Sequence, residues 1–172
     1  HVGSELTRLL CDAGATVEVA DIDRGRSEAV AAAYGATVVD PAEAAVRDCD
    51  VFAPCAMARV IDERTVPRLR CRVVAGAAND TLADDGLVAE VAARGILYVP
   101  DFLANAGGVI HIHARREGFS ESQLRAAVLE IGDRVAAVID RATHESTLPL
   151  AVARADAREV LEGGLHPIAR VG

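Results

Sequence analysis

In the run Gly95-Ile-Leu-Tyr-Val99-Pro-Asp-Phe-Leu-Ala-Asn105-Ala-Gly-Gly-Val109-Ile, an apolar, strand-like segment leads straight into an asparagine and a glycine pair. Strand ends of this kind hold the ligand in open α/β sheets. Asn105 offers a donor and an acceptor, and Gly107-Gly108 let a backbone approach closely. The same design occurs twice upstream, in Asp50-Val-Phe-Ala-Pro54-Cys-Ala-Met57 and Val73-Val-Ala-Gly76-Ala-Ala-Asn79-Asp80. Three such strand ends in order read as one continuous site.

Helix and strand patterns alternate on either side. Leu6, Leu9, Leu10 and Ala13 have helical spacing and are followed by Gly14 as a cap. Thr16 to Ala20 reads as a strand, Arg26 to Tyr34 as a helix stopped by Gly35, and Ala36 to Val39 as a short strand. Pro41 is expected to open a helix at its first position. Strands follow at Val51–Ala53, Val73–Ala75 and Ile96–Val99, with short helices near Thr65–Leu69 and at Leu87–Ala93. A long amphipathic helix is predicted from Glu121 to about Ala142 and a shorter one over Ala151–Leu161. This alternation predicts an α/β, Rossmann-type, doubly wound and mostly parallel sheet followed by C-terminal helices.

Composition narrows the function. Half of the 172 residues are apolar (51 %), mostly Ala and Val, and 3 % are aromatic, which suits helices packed closely on a parallel sheet. The net charge is −8, and all 18 basic residues are arginines. An acidic surface argues against nucleic acid or an anionic membrane as partner, and no apolar run approaches a membrane span. Cys11, Cys49, Cys55 and Cys71 lack paired metal or redox spacing, so reduced thiols and a cytoplasmic location are expected.

Val2-Gly3-Ser4 before a helix reads either as plain capping or as the end of a phosphate-binding turn, where helix amides meet an anion. Asp21 favours the second reading: with Ile22 it ends the Thr16–Ala20 strand, 18 residues past Gly3, the place of the second strand of a dinucleotide-binding unit, where an acidic residue takes the adenosine ribose hydroxyls. A carboxylate there disfavours a 2′-phosphate, so NAD is expected over NADP. Asp23 reads as a second lining group or an exposed loop residue, and Arg24 and Arg26 are the only argument for NADP. Asn79 and Asn105 suit a site where charge comes and goes, because an amide hydrogen-bonds without imposing a charge. Val109 and Ile112, apolar and at the start of a helix, read as ordinary core residues and equally as an apolar wall for a ligand. His111 and His113 would share a face on a strand, but the Gly-Gly turn begins a helix that splays them, and no metal is expected.

The three blocks, with Gly3 and Asp21, resemble the cofactor domain of the glutamate/leucine/phenylalanine/valine dehydrogenases, which reads roughly D-x-x-A-P-C-A-L-G, G-A-A-N-N-Q-L and G-I-x-Y-x-P-D-x-x-x-N-A-G-G-V-I. The resemblance runs from His1 to about Gly118 and more loosely to Glu162. It implies an NAD-binding core over residues 1–118 and a helical segment over 119–172. Val2, Gly3, Asp21, Ile22, Cys55, Ala56, Met57, Asn79 and Asn105 would bind cofactor; Asn79, Val109 and Ile112 would face an amino-acid substrate. The family's catalytic lysines lie in an N-terminal domain, and with no lysine in this chain no catalytic residue is expected here. The abrupt opening at His1-Val-Gly3 suggests a fragment truncated inside the phosphate loop, without its first strand, from an enzyme that is a homo-oligomer when whole.

Departures from the pattern motivate a second reading. Cys55-Ala-Met-Ala-Arg59 replaces C-A-L-G-G, and Asn79-Asp80-Thr81-Leu82 replaces N-N-Q-L, adding bulk beside a ribose and a charge near the site. A catalytically inactive paralogue, sensing a nucleotide or serving assembly, would tolerate both changes. A methyltransferase-like domain would also use the glycine turn and Asp21, but does not account for the asparagine blocks.

Overall fold

The computed structural model describes residues 1–56 and 58–163. Helix α1 (Val2–Asp12) leads through Gly14, at φ +84°, into strand β1 (Glu18–Val19). Helix α2 (Arg24–Tyr34) is capped at its start by Asp23, which accepts from the Gly25 and Arg26 amides, and stopped by Gly35 in the left-handed region. Strands β2 (Thr37–Val38), β3 (Asp48–Phe52) and β4 (Arg70–Val74) follow, then α3 (Leu87–Ala93), β5 (Leu97–Tyr98), α4 (Asp101–Ala104), α5 (Gly107–Glu117), α6 (Glu121–His144) and α7 (Pro149–Glu162). Helix α6 starts at a complete capping box between Ser120 and Gln123.

The class is α/β with parallel strands, as the alternating pattern predicts. The strands form two sheets rather than one: β1 pairs β2, and β3-β4-β5 run side by side, all parallel. No described strand lies between β1 and β3. An ion pair from Arg47 to Glu18 at 2.5 Å joins the two sheets instead. The expected helix at Pro41 is absent. Asp40 Oδ1 accepts from the Ala42 amide at 2.8 Å, closing a tight turn, and one 3-10 turn at Ala44–Val46 suffices before Arg47 becomes extended into β3. The segment near Thr65–Leu69 likewise forms only a 3-10 turn, Val66–Arg68.

The main core gathers Ile61, Val66, Leu69, Val74 and Val91 with Leu87, Val88, Tyr98 and Leu150, so the three-stranded sheet, α3 and the start of α7 pack together. A second cluster of Val138, Ala142, Val152 and Ala153 joins α6 to α7 and reaches Leu103 of α4. Burial of this kind contributes about 25 cal/mol per Å² of apolar surface. Arg141 reinforces the α6–α7 contact through Asp156 at 2.6 Å. By contrast, α1 leaves Leu9 51 % exposed and β3 leaves Val51 52 % exposed. With β1 and β3 each paired on one side only, open strand edges lie beside uncovered apolar surface. Self-association that rises with concentration is the expected result in sedimentation velocity, and a monodisperse monomer across the range would contradict it.

Asp62 anchors the turn that leads into Val66–Arg68. Its Oδ1 accepts from the Thr65 hydroxyl at 2.7 Å and the Thr65 amide at 2.8 Å, and its Oδ2 from Arg64. The Thr65 hydroxyl, then its amide, then Arg64 hold this carboxyl at about 2. A depressed carboxyl contributes stability above its unfolded value of about 3.9, and that contribution is lost as pH falls. Melting curves of D62N should therefore lose less between pH 4 and pH 2 than those of the unaltered chain; parallel losses would remove Asp62 from the acid response.

Candidate functional site

Because β3, β4 and β5 are parallel, the segments that follow them emerge at one edge of the sheet. Main-chain bonds then tie these segments together. The Ala75 amide donates to the Phe52 carbonyl at 3.1 Å, and the Ala78 amide to the Pro54 carbonyl at 2.9 Å. Gly76 sits so close to Pro54 that a Cβ built on it would lie 2.1 Å from the Pro54 carbonyl oxygen. Only glycine allows that approach. Asp101, at the start of α4, accepts from the Thr81 amide at 2.9 Å through Oδ2 and from the Phe102 amide through Oδ1, so it fastens the third segment to the second.

Asn79 and Asn105 meet at this edge. Asn105 Nδ2 donates to Asn79 Oδ1 at 2.6 Å and to the Ala78 carbonyl at 3.2 Å. A carbonyl can only accept, so the Ala78 bond fixes which way the Asn105 amide faces, and that in turn fixes Asn79. Among the described residues the Asn79 amide nitrogen and the Asn105 oxygen have no side-chain partner, which leaves one donor and one acceptor, the groups a carboxamide can bond. Neither group titrates, so the pair can orient a ligand but cannot move a proton.

Gly3 lies inside α1, and a Cβ there would meet the Cys55 Cβ at 3.3 Å. The start of α1 thus packs against the segment after β3, which is the packing role of the last glycine in a dinucleotide-binding turn. Met57 falls outside the described residues. Asp21, half-buried, accepts from the Asp23 amide at 2.9 Å through Oδ1, leaving Oδ2 for a ligand. Asp23 is spent as the α2 cap, so it is a structural residue rather than a lining one. Arg24 pairs with Glu28 at 2.7 Å and Arg26 with Asp23 at 3.3 Å, so both arginines near Asp21 are neutralised.

Ile22 is 84 % exposed beside Asp21, and Val109 and Ile112 on α5 are 72 % and 65 % exposed. The last two are surface residues rather than core. His111 and His113 sit two positions apart on α5, and His113 packs edge-on against Phe119. Tyr98 is buried at the end of β5; burial, then the nearby Asp101 carboxylate, push its hydroxyl up to about 12. It stays protonated as a core group. Burial also raises the Cys49 and Cys71 thiols, neighbours across β3 and β4.

Sequence reasoning did not single out Asp101, Gly76 or a partner for Arg59. Arg59 and Asp80 bond to each other twice, the Arg59 amide to the Asp80 carbonyl at 2.6 Å and Arg59 Nε to Asp80 Oδ2 at 3.0 Å. Asp101 was visible as the acid in the Pro-Asp step, but nothing in the spacing tells that it reaches across 20 residues to Thr81.

Comparison with known proteins identifies the family of the chain. A family model described as glutamate/leucine/phenylalanine/valine dehydrogenase matches residues 5–142. A phenylalanine dehydrogenase of Thermoactinomyces intermedius is 38 % identical over 147 residues, covering 84 % of this chain and 40 % of that protein. A valine dehydrogenase of Streptomyces albus is 36 % identical over 155 residues, covering 88 % of this chain and 43 % of its own length. The crystal structure of L-tryptophan dehydrogenase from Nostoc punctiforme superposes with a TM-score of 0.88 at 34 % identity, over 92 % of this chain and 48 % of that one. The chain therefore spans less than half the length of these relatives. Among the described residues no helix is long and apolar enough to cross a membrane, and no group of three or more His, Cys, Asp or Glu could hold a metal ion.

Proposed function

The chain belongs to the glutamate/leucine/phenylalanine/valine dehydrogenase family, and from that membership we propose that it is the NAD-binding part of an enzyme that oxidatively deaminates an apolar L-amino acid to a 2-oxo acid and ammonia. Residues 1–118 would form the cofactor-binding core and 119–172 a C-terminal helical segment. The observation that carries the reading is the Asn79–Asn105 amide pair, with one donor and one acceptor left for a nicotinamide carboxamide or a substrate.

The residues present fit a dinucleotide. Val2 and Gly3 at the start of α1 suit the pyrophosphate, since helix amides there lack partners. Asp21 Oδ2 suits the ribose hydroxyls, with Ile22 beside it as an apolar surface for the adenine. Both local arginines are already paired, which removes their support for a 2′-phosphate and favours NAD over NADP. Cys55 and Ala56 would pass beneath the riboses. A bound nicotinamide would supply hydride-acceptor chemistry at the amino acid's α-carbon. The chain's own contribution is to hold that ring by Asn79 and Asn105, and to present Val109 and Ile112 as an apolar wall. Proton transfer falls to groups in an N-terminal domain outside this chain, and the whole enzyme would be a cytoplasmic homo-oligomer.

Fluorescence titration should find NADH binding well ahead of NADPH, and the chain alone should show no turnover of leucine, valine or phenylalanine. Equal binding of both nucleotides, or measurable deamination by this polypeptide, would refute the respective part. An inactive paralogue draws on the bulk at Ala58-Arg59 and on the charge of Asp80; Arg59 pairs with Asp80, which weakens the second of these motives.

A further inference from the structure

Arg59, Asp80 and Ser146 are the three non-glycine residues with positive φ among those described, at +57°, +53° and +52°. Left-handed backbone is unfavourable for a side chain with a Cβ and persists only where the surroundings over-determine it. Two of the three are bonded to each other, through main chain and side chain, at the segments after β3 and β4. Directly past them the two segments continue in register: the Ile61 amide donates to the Thr81 carbonyl at 3.2 Å and the Ala83 amide to the Ile61 carbonyl at 2.8 Å. Directly before Asp80 stands Asn79, already held by Asn105 at 2.6 Å.

We propose that Arg59 and Asp80 form a clasp that positions Asn79 and cancels the carboxylate's charge next to the nucleotide site, a proposal that rests on the NAD reading above. Arg59 carries the bulk and charge that replace glycine, and Asp80 the charge that replaces asparagine. The two departures thus answer each other. Without Arg59, a bare carboxylate would stand one residue from Asn79 and oppose an anionic ligand. Without Asp80, the guanidinium would lose its anchor, and only the main-chain bond would link the two strained positions.

The roles separate by measurement. In R59G the glycine adopts φ +57° freely, so local strain is relieved and the melting temperature should hold or rise. NADH affinity should nevertheless fall, by about twofold to fivefold at low salt, the scale of an exposed ion pair. Raising sodium chloride should shrink that deficit by screening the bare carboxylate. The double variant R59G/D80N should lose the salt dependence and recover part of the affinity, since it leaves neither charge unpaired, while keeping the deficit that comes from an unclasped Asn79, and R59K should keep most of the affinity. A purely structural contact would instead lower stability and give a salt-independent loss.

A second readout does not involve cofactor. In ¹⁵N-resolved spectra of the full chain, the side-chain amides of Asn79 and Asn105 should shift in R59G and in D80N. Failure of the parent chain to bind NADH would refute the proposed function, while these amide signals would still judge the clasp. Unmoved Asn79 and Asn105 signals, or strictly additive losses in the two single variants, would overturn it.

Discussion

Changing Gly76 to alanine should lower the melting temperature by roughly 10 °C and abolish NADH binding at ordinary concentrations. A Cβ at this position would lie 2.1, 2.6 and 2.8 Å from the O, N and C atoms of Pro54. All three are backbone, so no rotamer change relieves the contact. Pro54 cannot step aside, because its ring fixes its own φ and its carbonyl is bonded to the Ala78 amide at 2.9 Å. Overpacking against such a neighbour costs about 3 kcal/mol, and a chain of this size loses about 2–4 °C per kcal/mol. The displaced segments are those that carry Cys55 and Asn79, so binding falls with stability. G132A is the matching control: Gly132 lies inside α6 with nothing within 4 Å, and alanine there should raise stability by up to about 1 kcal/mol. Differential scanning calorimetry of the pair checks both signs. A G76A protein that melts with its parent would show that the close approach is not required.

Periodicity and punctuation made most of the fold readable. Leu87–Ala93 matches its predicted helix residue for residue, and Gly35 and Gly14 end their helices as their backbone freedom suggests. Pro41 misled because proline suits a helix start and a tight turn equally well, and the Asp40 side chain decided between them across two residues. The division into two sheets was hidden for a different reason. Strand pattern reports a segment's own burial, not which neighbour completes its ladder, so β1 and β3 each read as ordinary strands. At the site, the residue types were legible and their partnerships were not. Asn79 and Asn105 stand 26 residues apart, and Arg59 and Asp80 stand 21 apart. Local propensity carries no information about contacts at that separation. Asp80 on its own looked like an uncompensated charge, and only the folded chain brings Arg59 to it.

Asn105 should be the most sensitive side chain for binding. It makes two donations from one amine, to Asn79 Oδ1 and to the carbonyl of Ala78, whose residue is 5 % exposed. Leucine has similar volume but no donor, so N105L leaves the mostly buried Ala78 carbonyl with only the long 3.5 Å bond from the Thr81 hydroxyl and frees Asn79 to rotate. Loss of the shorter bond to a buried acceptor costs about 1–3 kcal/mol. If the loss falls on the bound state, NADH affinity drops by about tenfold or more. N105D goes further, because a carboxylate would face two acceptors and repel both. Its protonated form can still donate to one of them, so the folded protein holds that proton more tightly than the unfolded chain does. A carboxyl raised in this way lowers stability as pH climbs from its unfolded value, about 3.9, through the folded one. The N105D deficit should therefore widen from pH 4 to pH 7, while the N105L deficit stays level. Paired pH-dependent melting and NADH titrations of the two variants make the comparison. If N105D and N105L behave alike across that range, the amine of Asn105 is not the donor that sets Asn79, and the carboxamide-binding arrangement loses its basis.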